Sequence, residues 1–196
     1  IIEDAACGFG SQYKKLHVGN FGDTGCFSFH PRKAITTGEG GMITTQNDLL
    51  ADKLRKLRDH GASLSDRQRH LGSKPYLLAD HPYAGFNQRM TDIQGSLGLA
   101  QMIRASDIIS ERKAIAKKYN NAFADLNYLR LPKVNRQFTH SYQSYPCLYK
   151  PNEVYEALRK KSFKDVEKIC SERNKWMEKL QENGISTRPS THAVHM

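Results

Sequence analysis

The apolar run Cys26-Phe27-Ser28-Phe29 stops at Pro31, and Lys33 follows two residues later, ahead of Thr36-Thr37-Gly38-Glu39-Gly40-Gly41-Met42. This stretch constrains the chain more than any other. The run suits a buried strand, and Pro31 closes it because it has no N–H for a ladder and a fixed φ. Met42-Ile43-Thr44-Thr45 reads as a second strand. Between the two, a cation sits just past a strand end, beside glycines that let backbone approach a ligand closely. The plain alternative is a solvated surface lysine. The glycine cluster is not a nucleotide fingerprint, since it fits neither GxGxxG nor GxxxxGK[ST].

The flanking sequence reads as mixed α/β. Ile1-Ile2 predicts a buried strand that delivers Asp4 at its carboxyl edge, where open α/β sheets place ligands. Asp4 could equally be a cap or turn acceptor. Residues 11–22 read as a polar connection. Asn47 caps a helix to about His60, with Leu50, Leu54 and Leu57 on one face and Gly61 ending it. Residues 62–85, with Pro75 and Pro82, read as a long loop without its own structure. Thr91 and Gln94 form a capping box for a helix with Ile93, Leu97 and Met102 on its apolar face. Gly95 and Gly98 inside it suggest close packing. A further helix is predicted over 107–124, with Ile108, Ile115, Tyr119 and Phe123 near helical spacing. After a break at 126–134, a strand-like run from Tyr142 to Tyr149, helices over 153–160 and 164–183, and a last strand at Ile185–Arg188 read as a small α+β domain. Gly184 stands as the residue after the last helix.

Composition removes several classes. With 38% hydrophobic and 26% charged residues the 196-residue chain is globular. The sequence has no apolar stretch of membrane-spanning length. Four scattered cysteines without CxxC spacing argue against a zinc site or disulfide framework and suit a reducing cytoplasm. The net charge of +10 is mixed with acids along helices, so a solvated surface is preferred to nucleic-acid binding. His192 and His195 are too few to hold a metal. The chain opens inside a strand without an initiator Met and closes without a cap, so both ends read as cut.

Four segments now fall in order: Glu3-Asp4-Ala5-Ala6, Gly22 to Lys33, Thr36 to Met42, and Gly85-Phe86-Asn87-Gln88-Arg89-Met90-Thr91-Asp92-Ile93-Gln94. Together they resemble the DegT/DnrJ/EryC1/StrS family of pyridoxal-phosphate sugar aminotransferases, as do Gly184 to Arg188 and the tail. The resemblance implies a three-layer α/β large domain of fold type I, present in part over 1–125, and a truncated small α+β domain over 126–196. It further implies an earlier half of the protein, carrying the phosphate-cupping helix and the aromatic residue that stacks on the cofactor ring.

The resemblance implies site roles as well. Lys33 forms the internal aldimine with pyridoxal 5′-phosphate; members with histidine there are dehydratases, so lysine favours transamination. Asp4 pairs with the pyridine nitrogen, Ser28 donates to the phosphate, and Asn87 does so from the partner subunit of a homodimer. Cys7 stands where many members carry Gln or His near the ring's 3-oxygen. His30, Arg89 and Arg188 are candidates for substrate or phosphate contact. The bland alternatives are a backbone-satisfying Ser28, a turn residue at Asn87 and a small buried thiol at Cys7. The implied reaction moves an amino group from glutamate or glutamine to a keto sugar of the nucleotide-linked kind, in the cytoplasm, without metal, membrane or nucleic acid. The competing readings are a basic anion- or nucleic-acid-binding module, or an inactive fragment of the enzyme.

Overall fold

The computed structural model describes residues 1–72, 76 and 78–189. In chain order the first elements are β1 (Ile2–Asp4), β2 (Gln12–Tyr13), β3 (Leu16–His17), β4 (Thr24–Ser28), β5 (Gly41–Thr44), α1 (Asp48–Leu57), α2 (Asp66–Leu71) and α3 (Asp92–Ile103). They are followed by α4 (Ala105–Ala122), β6 (Leu129–Arg130), β7 (Phe138–Thr139), β8 (Leu148–Tyr149), α5 (Pro151–Arg159) and α6 (Phe163–Glu182). Two compact units result, one of Ile1–Ser110 with Arg136–Gln143, the other of Glu111–Asn135 with the chain from Ser144 onward.

The first unit is built on the sheet β1-β4-β5. β1 and β4 run parallel, with Asp4 opposite Cys26, and β5 returns antiparallel, with Met42 opposite Phe27. Gly25 is obligatory inside β4, because a Cβ there would lie 2.3 Å from the Gly19 Cα. Thr44 Oγ1 locks the same crossing by donating to the Gly19 carbonyl at 2.8 Å. The strand ends where Pro31 requires, and the chain turns back through residues 29–40.

The predicted polar connection over 11–22 contains the hairpin β2–β3, whose turn residues Lys14 and Lys15 take positive φ, and β7 joins it from 138–139. Strands of two residues leave too little alternation to detect, and their pairing partner is more than a hundred positions away. The long loop contains α2, closed by a capping box of Ser65 and Gln68. Pro75 lies outside the described residues.

Burial departs from expectation in one consistent way. Ile1 and Ile2 are exposed, and Ile93 is 84% exposed, with Leu97 and Met102 also open. The expected buried strand and the expected apolar face of α3 are thus open among the described residues, and the side of α3 that meets the loop is the one bearing Gly98. Gly98 is packed, a Cβ there meeting Thr37 Cγ2 at 3.0 Å, whereas a Cβ on Gly95 would meet nothing within 4 Å. In α4 the buried residues are Ile109 and Ala116, a seven-residue step, rather than Ile108 and Ile115.

The second unit pairs β6 with β8 antiparallel and packs α5 against α6 through Ala157 and Ile169. Trp176 stacks on Tyr128 at 6.4 Å. Lys150, held in positive φ, is bonded to Glu172 at 2.9 Å. The predicted strand over 142–149 shrinks to Leu148–Tyr149: Tyr142 takes left-handed backbone (φ 53°) and Pro146 has no N–H to give a ladder. Ile185–Arg188 is irregular; no strand among the described residues pairs with it. Gly184 has φ 78°, as a helix-ending glycine does. No described helix is long and apolar enough to cross a membrane.

Candidate functional site

Parallel pairing of β1 and β4 puts their carboxyl ends on one edge, so Asp4 and Ser28, the last residues of those strands, share it. The chain past β1 turns at once: Ala5 N donates to Cys26 O at 3.0 Å and Ala6 N to Asp4 Oδ1 at 3.1 Å. That turn carries Cys7 back across the edge. The chain past β4 turns as Lys33 N donates to His30 O at 2.9 Å, and the two turns meet side chain to side chain. Lys33 Nζ donates to Cys7 Sγ at 2.9 Å. Amine and thiol are thus brought together from sequence positions 33 and 7, on the edge where the strand bearing Asp4 ends.

The loop that bears Lys33 is stitched along its length. Phe29 N donates to Gly40 O at 2.8 Å and Thr37 N to Phe29 O at 3.1 Å. Thr36 Oγ1 donates to Phe29 O at 2.9 Å, and the buried Thr37 hydroxyl donates to Glu39 O at 2.8 Å. Gln94 Nε2 also donates to Glu39 O, at 3.0 Å, so the capping box of α3 is coupled to the loop. Gln143 Nε2 donates to Arg32 O at 2.6 Å, bracing the residue before the lysine. Sequence reasoning missed Gln143, and no local signal marks it, since it reaches the loop from 111 positions away. It also missed Glu3. Burial opposes the charge of Glu3, yet backbone N–H groups of Gly19, Phe21 and Gly22 together hold its carboxyl below the usual range.

The remaining candidates are placed differently. Ser28 is half-buried, and its Oγ accepts from His30 N at 3.4 Å. His30 Nδ1 accepts from Arg32 N at 3.2 Å, and its Nε2 lies 3.9 Å from a Glu39 carboxylate oxygen. Asn87 is exposed and bridged to Asp59, just past the end of α1, and Arg89 forms an ion pair with Asp59. Arg188 is exposed in the second unit. His192 and His195 lie outside the described residues.

A primary amine, a carboxylate and a hydroxyl on one sheet edge are the groups that pyridoxal phosphate requires: an amine for its aldehyde, a carboxylate for its ring nitrogen and a donor for its phosphate. This chain's residues fit that cofactor. A separate cavity of about 620 Å³, lined by Phe27, Phe29, Met42, Gly98 and Met102 among others, contains none of Asp4, Cys7, Ser28 or Lys33. It is an apolar space between sheet and α3, not the place where these groups converge.

The model of the DegT/DnrJ/EryC1/StrS aminotransferase family matches residues 1–196. The chain is 35% identical, over its whole length and 47% of the relative's, to an uncharacterized protein, MJ1066, of Methanocaldococcus jannaschii. It is 34% identical to the GDP-perosamine synthase of Escherichia coli O157:H7, again over its whole length and 45% of the relative's. Among solved structures, Spr1654 of Streptococcus pneumoniae in its PMP-form superposes with a TM-score of 0.79 at 25% identity, over 98% of this chain and 45% of that one. The chain therefore spans about half the length of the curated relatives it matches.

Proposed function

Because the chain belongs to the DegT/DnrJ/EryC1/StrS aminotransferase family, we propose that the protein carrying it transfers an amino group from glutamate or glutamine to a nucleotide-linked keto sugar, using pyridoxal 5′-phosphate. The sugar class is supported by the GDP-perosamine synthase relative. The single observation behind the site is the 2.9 Å contact of Lys33 Nζ with Cys7 Sγ, which sets the amine at the edge that Asp4 occupies.

When bound, the cofactor supplies an electron sink for a carbanion next to the transferred nitrogen. Lys33 would hold it covalently through Nζ, and the same amine, when free, would serve as the base that carries a proton at the reacting carbon. Asp4 holds the proton on the ring nitrogen through its carboxylate. Ser28 would donate its hydroxyl to the phosphate, and Cys7, beside Lys33, would stand near the ring's 3-oxygen. Asn87, bridged to Asp59 just past α1 and exposed, would serve the phosphate of the partner subunit in a homodimer. His30, Arg89 and Arg188 are assigned to substrate or phosphate contact, Arg89 being paired with Asp59 as well. In this reading residues 1–125 are the carboxyl-terminal part of a fold type I large domain, residues 126–196 belong to the small domain, and the enzyme works in the cytoplasm.

Borohydride reduction of the cofactor-loaded protein should fix a pyridoxyl group on Lys33, read by peptide mass mapping. Lys33→Ala should lose that label and reduce amino transfer by about 10²–10⁴-fold. A label on any other lysine defeats the assignment.

A further inference from the structure

Cys7 has no part in the transfer just described that a histidine or glutamine could not fill, yet its thiol is exposed and in hydrogen-bond contact with the amine of Lys33. We propose that Cys7 and Lys33 form a reversible oxidative cross-link, a sulfenamide bond between Sγ and Nζ, made when a hydroperoxide reaches the cofactor-free site.

The chemistry balances in two steps. A hydroperoxide oxidises the Cys7 thiol by two electrons to a sulfenic acid and is itself reduced, hydrogen peroxide giving water. The neutral Lys33 amine then attacks that sulfur. The new S–N bond forms as the S–O bond breaks, and hydroxide leaves with the amine's proton as a second water. Sulfenic acids condense in this way with a backbone nitrogen as well as with thiols. Here the nucleophile already stands 2.9 Å from the sulfur. A bond requires closure of little more than an ångström by a flexible four-carbon chain.

Competing fates are constrained by the same geometry. Cys26 is the nearest other cysteine in the fold's register, opposite Asp4 in the β1–β4 pairing, and it is partly buried. Cys147 and Cys170 belong to the second unit. The braced loop, held by Gln143, Thr36 and Thr37, keeps Lys33 facing Cys7. Two thiols reverse it: thiolate attack on sulfur breaks the S–N bond, releasing the Lys33 amine and leaving Cys7 in a mixed disulfide, and a second thiol then frees Cys7 and departs as the reductant's disulfide. The bond itself rests only on this contact. Its consequence, a reversible block on cofactor attachment, rests on the reading of Lys33 as the cofactor-bearing amine.

The test treats the purified, cofactor-free protein carrying this chain with hydrogen peroxide and reads intact and peptide masses. The expected product is a species lighter by two hydrogens, about 2 Da, in which the Cys7 and Lys33 peptides are joined, and which dithiothreitol restores. Cys26→Ser should still give it. Lys33→Arg and Cys7→Ser should not, and Lys33→Arg should instead carry a sulfenic acid that dimedone traps. A Cys7–Cys26 disulfide, or dimedone trapping of Cys7 to the same extent with and without Lys33, overturns the proposal. Preloading with pyridoxal phosphate should suppress the cross-link. A cross-link that forms equally in the loaded protein upholds the S–N bond while removing Lys33 from the cofactor.

Discussion

Glu3 and Asp4 are adjacent carboxylates with opposite tasks. Asp4 is exposed at the strand end, while Glu3 points to the other face and accepts from Gly19 N at 2.5 Å, Phe21 N at 2.9 Å and Gly22 N at 3.3 Å. Three donors within four residues make Glu3 the staple that holds the returning loop against β1. Glu3→Ala should therefore cost about 1–2 kcal/mol of stability, since bonds to a charged acceptor carry more than neutral ones and partial exposure offsets some of that. The sign with pH follows from the direction of its shift. Its folded carboxyl titrates below the unfolded value of about 4.3, so the stabilisation is full above that value and is lost as pH falls through the folded one. Urea midpoints of wild type and Glu3→Ala should differ at pH 7 and converge at acid pH; a constant gap would show that packing, not charge, holds the loop. Asp4→Asn should leave those midpoints unchanged and lower amino transfer on the order of 10²-fold, measured as kcat with cofactor saturating. An equal loss in both measurements would make Asp4 a structural turn residue.

At the scale of elements, what could be read from the chain was what is coded locally. Asn47 caps α1 by accepting from Leu50 N at 3.0 Å, and Thr91 and Gln94 cap α3 reciprocally, because both signals lie within four residues. Lys33 stood out by its place, two residues past the Pro31 that closes a strand and just ahead of a glycine cluster, but its side-chain contact with Cys7 had no local signal. What stayed hidden depends on distant partners. The β2–β7 pairing, the Gln143 brace and the choice of Ile109 over Ile108 as the buried residue are decided by contacts that no window contains. The two helix glycines of α3 separate the cases. Gly95→Ala should stabilise α3 by about 0.5–1 kcal/mol, since its Cβ meets nothing. Gly98→Ala should gain nothing or lose, because Thr37 Cγ2 lies 3.0 Å from the new Cβ and Thr37 is fixed by its bond to Glu39. Paired urea midpoints test this; a stabilised Gly98→Ala would mean that Thr37 yields.

For the molecule as a whole, exposed apolar side chains are the informative feature. In the first unit they lie where they matter to the site: Ile1 and Ile2 beside Asp4, Met42 and Ile43 on β5, and Ile93, Leu99 and Ile103 on α3. Exposed apolar side chains in such number mark an interaction face or an aggregation liability. The groups assigned to the cofactor stand at the rim of this uncovered sheet, where water competes for each hydrogen bond and little low-dielectric wall holds an aromatic ring. The 196-residue span purified by itself should thus bind a hydrophobic dye strongly and hold pyridoxal phosphate at millimolar rather than micromolar strength. Titration of the cofactor's visible absorbance against the isolated span measures it. Micromolar binding there would mean that Asp4, Ser28 and Lys33 suffice for the pocket, and that the open faces have no bearing on it.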